Sequence, residues 1–321
     1  MNNRKPILNC EIAEQLRNSY FKETNSKNKA IKFPSAFSVS DIGSGFLEIF
    51  AKRASINANM QTNDNAIEAW ALILNRWLGK KILISWETPS ELEKFEDLLN
   101  YRRFLYRLEN LPITEEIVIS DKMEPEIQKN SIYQIEEFLF VNSGNLNLRN
   151  TPYDQRKLST ENDFELFFFN HQECLSKIFS YEYVFRQFPV GLFRKSVKRG
   201  NELFPARKSA IDIVLADKEN IIVIELKKPG NKSVGVISEL LFYCYFIRDI
   251  VKGNFHFLNE KPFPENANHV FGCLLLSEGD RHPLIDRIVL EYAGLRILKS
   301  GLPIKSHFYR LSKGGDSCEI M

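Results

Sequence analysis

Asp212 interrupts the apolar run Ala210 to Ala216, and Glu225 and Lys227 stand in a second apolar run, Ile221 to Lys227. An unpartnered carboxylate is costly to bury, so charged groups in such runs raise the question of what they hold. Both runs have the length and β-branched content of strands. Asp217-Lys218-Glu219-Asn220 between them carries turn residues. With Lys218-Glu219 as a two-residue loop, Asp212 falls directly opposite Glu225. Lys227 lies one strand period further on, on the same face, while Leu226 points to the other. Two carboxylates and an ammonium on one face suit Mg²⁺, with Mn²⁺ as the alternative. Such ions take oxygen ligands and keep waters that a phosphate can replace. A cation held there polarises a phosphodiester and acidifies a bound water. Lys227 would orient that water or offset charge building on phosphorus. A buried salt bridge to Lys227 would satisfy the same carboxylates without any chemistry.

Asp, a hairpin, then Glu-x-Lys resembles the PD-(D/E)xK phosphodiesterase superfamily of restriction endonucleases, junction resolvases and repair nucleases. Ile211 stands where the proline of that motif would be. The resemblance covers roughly the second half of the chain and implies a restriction-endonuclease-like α/β core: helix, three-stranded meander, helix, strand. Asp163 to Ser180 reads as the first helix, Val190 to Val197 as the first meander strand, Val236 to Val251 as the second helix and His269 to Leu276 as the next strand. It further implies that Asp212 and Glu225 hold the metal and that Lys227 acts beside it. A carboxylate on the first helix would assist. Glu165 is the leading choice, with Glu161 and Glu173 as rivals, since Glu173 lies about two turns from Glu165 along a similar face. Some members carry Gln-x-x-x-Tyr on the second helix. Glu239 and Tyr243 occupy that spacing here, so Glu239 is either an added metal-shell carboxylate or a solvated residue.

The implied activity is a metal-dependent endonuclease, with DNA as the leading polymer and RNA as the alternative. Microbial restriction or anti-phage defence is the implied setting. The competing reading is a non-catalytic nucleic-acid-binding or assembly protein that keeps the fold. Net charge is only +2 over 321 residues, so bulk charge does not announce a nucleic-acid binder. The local pattern does more: Arg194, Lys195, Lys198, Arg199, Arg207 and Lys208 precede Asp212, with only Glu202 opposing them. A basic rim would draw a phosphate backbone towards carboxylates that repel it. Taken without the hairpin, the same residues read as an ordinary solvated loop. A homodimer or a regulatory protein partner fits an enzyme that cuts two strands.

The five cysteines are odd in number and form no CxxC, which argues against a structural zinc site and for a reducing, cytoplasmic setting. Cys174, Cys244 and Cys273 lie in apolar runs and read as buried thiols. No signal peptide or membrane-spanning run is evident. Many of the 25 phenylalanines crowd into Phe164 to Phe193, where core packing is the expected role.

Residues 1–150 read as a mixed α/β domain of unknown role, and 151–321 as the nuclease-like domain. Expected helices are Ile12 to Phe21, Asn65 to Leu78 and Ser90 to Leu108, with strands at Lys81 to Trp86 and Ile113 to Ser120. Tyr133 to Val141 is an element of open type, and the polar stretch Asn142 to Thr160 is the expected linker. Ser40-Asp41 reads as a helix cap leading into Phe46 to Phe50. The loop Asp41-Ile42-Gly43-Ser44-Gly45 also looks like a methyltransferase cofactor loop. The helix cap is favoured, because Leu47 stands where a third glycine would be.

Overall fold

Apolar alternation, turn chemistry and helix capping divide the chain into a mixed α/β protein with several sheets. The computed structural model describes residues 9–25, 31–89, 94–111, 115–142, 160–205, 209–228, 230, 233–259, 261–277, 282–285, 304–311 and 318–320, with backbone only for 9–10, 304–311 and 318–320. Two units emerge. One comprises Met1–Gln134 with Ser233–Ser238 and His282–Arg296, the other Ile135–Lys232 with Glu239–Arg281 and Ile297–Met321.

In the first unit, α1 (Asn9–Thr24) precedes a hairpin of β1 (Phe37–Gly43) and β2 (Phe46–Ala51). This corrects the expected helix at Phe46 to Phe50. Gly43, Ser44 and Gly45 all have positive φ, and Asp41 Oδ1 accepts from the Gly43 N–H at 2.8 Å. The turn reverses the chain at once, and Leu47 and Ile49 alternate with Glu48 as a half-buried strand. The Asp41 loop is therefore a hairpin turn, neither a helix cap nor a loop joining a strand to a helix. The short α2 (Arg53–Asn57) follows, then α3 (Ile67–Leu78), β3 (Lys81–Trp86), α4 (Phe95–Asn110), β4 (Ile117–Ile119) and α5 (Glu124–Asn130). β2, β3 and β4 run parallel, and parallel neighbours require crossovers, which α3 and α4 supply. α3 stops at Gly79, whose φ of 61° suits the left-handed C-terminal position.

In the second unit, β5 (Leu139–Val141) settles the segment of open type. The capping box of Thr160 and Asp163 starts α6 (Glu161–Asn170): Thr160 Oγ1 accepts from the Asp163 N–H and Asp163 Oδ2 from the Thr160 N–H. The expected single helix to Ser180 is broken. His171 leaves helical geometry (φ −109°, ψ 60°), stacks its ring near Phe167, and is followed by the short α7 (Gln172–Ser176). The first meander strand is β6 (Tyr183–Pro189), not Val190 to Val197. From the latter segment, β7 (Leu192–Arg194) pairs instead with β5 in a two-stranded sheet. Pro189 cannot donate to a ladder, which fits β6 as an edge strand. β6, β8 (Ala210–Ala216) and β9 (Asn220–Lys227) form an antiparallel meander. Next comes α8 (Gly235–Val251), whose residues up to Ser238 group with the first unit, then β10 (His269–Ser277) parallel to β9. β11 (Ile304–Leu311) and β12 (Cys318–Ile320) complete a sheet ordered β12-β11-β10-β9-β8-β6. Phe164, Phe167 and Phe168 of α6 pack with Ile213, Leu215, Ile224 and Leu226 in one core cluster, the role expected for these phenylalanines. Cys174, Cys244 and Cys273 are buried, as expected. No helix among the described residues is long and apolar enough to cross a membrane. Most of the expected linker, 143–159, lies outside the described residues.

Candidate metal centre

The hairpin register is the one the two-residue loop dictates. Ile213 faces Ile224 and Ala216 faces Ile221, while the Asp217 N–H donates to Asn220 O at the turn. Regular pairing between β8 and β9 ends at Ile213–Ile224. There the Asp212 side chain takes over: its Oδ2 accepts from the Leu226 N–H at 2.8 Å. On the other side, β6 pairs with β8 at Arg186–Ile213 and Phe188–Ile211 but skips Gln187 and Asp212. Gln187 has φ of 52°, rare for a residue with a side chain. Asp212 thus sits where the sheet opens along both of its edges.

Strand alternation sends Ile213, Ile224 and Leu226 to the α6 core and leaves Asp212, Glu225 and Lys227 on the opposite face. Glu225 and Lys227 are buried, and Asp212 is partly exposed. The Lys227 ammonium pairs closely with Glu225 Oε1 and lies 3.2 Å from Glu239 Oε2 and 3.9 Å from Glu161 Oε1. Glu239 and Tyr243 stand one turn apart on α8, and the Tyr243 hydroxyl donates to Glu239 Oε1 at 2.9 Å. Glu165 Oε2 accepts from Gln187 Nε2 at 2.5 Å and lies 3.4 Å from Arg186 Nη2. Of the three rival helix carboxylates, Glu165 interacts with Asp212 and Glu161 with Lys227. Glu173 is exposed and pairs with His171 at 3.0 Å. Arg186 and Gln187 were missed from sequence, because the strand that carries them was placed seven residues too late.

Burial raises the Asp212 carboxyl well above its usual range, and Glu165 and Glu239 add to this against Lys227 and the Leu226 N–H. Burial likewise raises Glu225, reinforced by Asp212 and Glu239 and opposed by Lys227. Glu165 rises through burial, against Gln187 and Arg186. For Lys227 burial works downward, but Glu225, Glu239, Asp212 and Glu161 overwhelm it and hold the ammonium charged. Burial, then Glu239, Glu225 and Asp212, keep Tyr243 protonated and able to donate.

These residues have the chemistry of a hard-cation site: oxygen donors and crowded negative charge, with the buried Glu225 carboxyl close to those of Asp212 and Glu239. Among the described residues, no group of three His, Cys, Asp or Glu side chains stands in a metal-holding arrangement. The Lys227 ammonium lies between Glu225 and Glu239, where it supplies the positive charge. Of the expected phosphate-binding residues, Arg194, Lys195, Lys198 and Arg199 are exposed at the end of β7 and in the turn after it, while Arg207 and Lys208 lie outside the described residues. No family model, curated protein or solved structure matches the chain.

Proposed function

We propose that this protein is a metal-dependent phosphodiesterase that cuts nucleic acid internally, with DNA as the leading polymer, on a restriction-endonuclease-like core in its second unit. The observation that carries the reading is the meeting of Asp212, Glu225 and Lys227 where the β8–β9 ladder opens, with Glu165 and Glu239 beside them. Asp212 and Glu225 would hold Mg²⁺ or Mn²⁺, with Glu165 assisting. Bound there, the cation supplies Lewis acidity and a more acidic water. Lys227 stays an ammonium, so its role is positive charge rather than proton abstraction. Once released from Glu225, it is placed to orient the attacking water and face the charge on phosphorus. Tyr243 holds Glu239 in position, and Arg186 and Gln187 hold Glu165. Arg194, Lys195, Lys198 and Arg199 would contact phosphates. A role in restriction or anti-phage defence fits such an enzyme and rests on the resemblance alone.

A second reading has one observation in its favour. Lys227 already neutralises Glu225 and Glu239, so the cluster is able to stand as a structural ion network in a nucleic-acid-binding protein. The test is incubation of supercoiled plasmid, linear duplex, single-stranded DNA and RNA with Mg²⁺, Mn²⁺ or EDTA, beside calorimetric metal titration. Metal-dependent cutting of any of these supports the phosphodiesterase and names its polymer. Absence of both cutting and metal binding favours the second reading.

A further inference from the structure

Phe138 is 69% exposed, the most exposed large apolar side chain among the described residues, and Leu258 follows at 57%. Phe138 is not an isolated surface ring. Its centroid lies 5.1 Å from the His256 ring, edge to face, and 6.4 Å from Phe140. The backbone fixes this group from two sides. His256 exchanges hydrogen bonds of 2.8 Å with Leu139 and Val141, and the Lys195 N–H donates to Phe138 O at 3.1 Å. The backbone that carries the rings is therefore ordered before any ligand arrives, which limits the entropy lost on binding.

Lys195, hydrogen-bonded through its backbone to Phe138, opens a basic stretch of chain. The chain leaves β7 through Lys195, at φ 63°, into a turn that exposes Lys198 and Arg199. Lys195 reaches Glu137 at 2.9 Å on the surface, where such a pair is weak and yields readily to phosphate. An exposed aromatic group at a strand that pairs with the start of a basic turn matches a polymer that offers flat apolar faces and regular negative charge. A duplex hides its base faces in its own stack, whereas a single strand presents them.

We propose that this patch binds single-stranded nucleic acid, with bases stacked on Phe138 and His256 and phosphates on Lys195, Lys198 and Arg199. This rests on the nucleic-acid reading above and specifies the form of polymer the protein grips: a single strand, or an unpaired segment of a duplex.

The test is fluorescence anisotropy of the full chain in EDTA, where metal-dependent cutting does not intervene, with labelled oligo-dT, single-stranded RNA of the same length and a blunt duplex. Oligo-dT is expected to bind at least about tenfold tighter than duplex. Phe138→Ala is expected to weaken single-strand binding about tenfold, in the range for one stacked base, with less than a twofold effect on duplex. Phe138→Trp should keep the affinity. Lys198→Ala and Arg199→Ala should weaken both forms and each lower the salt dependence by roughly one released counterion, whereas Lys218→Ala in the β8–β9 turn should change nothing. Equal or tighter duplex binding, or Phe138→Ala binding like wild type, overturns the proposal. So does binding to no oligonucleotide; self-association lost in Phe138→Ala would then make the patch a protein interface. Because no cutting is read, this failure is separate from that of the phosphodiesterase reading, which the metal-dependent assays address.

Discussion

Asp212 has two duties that pull against each other. Its Oδ2 replaces a ladder hydrogen bond by accepting from Leu226 N–H, yet its charge is held close to Glu165, Glu225 and Glu239. Removing the charge while keeping the acceptor should relieve the repulsion. Asp212→Asn is therefore expected to raise the melting temperature in EDTA by roughly 2–4 °C, the shift for about 1 kcal/mol in a chain of this class; a lower melting temperature would show that the charge stabilises the fold. Lys227 predicts the opposite. Its loss leaves the buried Glu225 and Glu239 without their cation, so Lys227→Ala should cost about 3–5 kcal/mol in EDTA by urea unfolding. Mn²⁺ should then stabilise the variant more than wild type, since the competing ammonium is gone. An equal or smaller Mn²⁺ effect would argue that the carboxylates do not take a metal.

The β8–β9 hairpin was legible because two local signals agree: alternating apolar residues and a turn that Asp217 closes with its own side chain. The first meander strand was not legible. Val190 to Val197 and Tyr183 to Pro189 are both short and apolar, and only pairing partners far away in sequence decide that β6 joins β8 while β7 joins β5. The helix misplaced at Phe46 had the reverse fault. A capping signal at Ser40-Asp41 was outweighed by three consecutive positive φ angles that turn the chain into a hairpin. Asp217 also gives a pH prediction. Burial pushes its carboxyl up, but the Asn220 side chain and the Glu219 and Asn220 N–H groups outweigh burial and hold it below its usual range. A lowered folded value means that the carboxylate stabilises the fold above its unfolded pKa of about 3.9. That contribution is lost as pH falls through the lower folded value. Asp217→Ala should therefore cost about 1 kcal/mol at neutral pH, with the gap to wild type closing below about pH 3. Urea unfolding at both pH values checks this, and a gap unchanged at acid pH would contradict it.

At the scale of the whole molecule, composition gave two halves, whereas the first unit also takes in Ser233–Ser238 and His282–Arg296. Nothing in linear composition marks such returns, because each is too short to carry its own pattern. Their contacts are specific: Trp77 Nε1 donates to Leu284 O at 3.0 Å, and Ser238 Oγ donates to Glu68 Oε2 at 2.9 Å. Glu68 is also the partner of Arg107 at 2.9 Å, both side chains being 1% exposed, and Arg107 Nη2 donates to Asn65 O at 3.1 Å. Sequence reading assigned no role to this buried pair, since one charge on each of two helices leaves no local signature. Arg107→Ala should destabilise the first unit by about 3–5 kcal/mol, and Arg107→Met with Glu68→Leu should recover most of that. Differential scanning calorimetry reads both; a loss below about 1 kcal/mol in the single variant would remove the pair from the account.

The most direct test of the central claim is the initial rate of polymer cleavage in Mn²⁺ for wild type, Asp212→Asn and Lys227→Ala, each shown to be folded by circular dichroism. Metal-dependent cutting by wild type, lowered about 10³-fold or more in both variants, is the predicted result. Cutting that persists in either folded variant, or that continues in EDTA, would contradict a metal centre built on Asp212, Glu225 and Lys227.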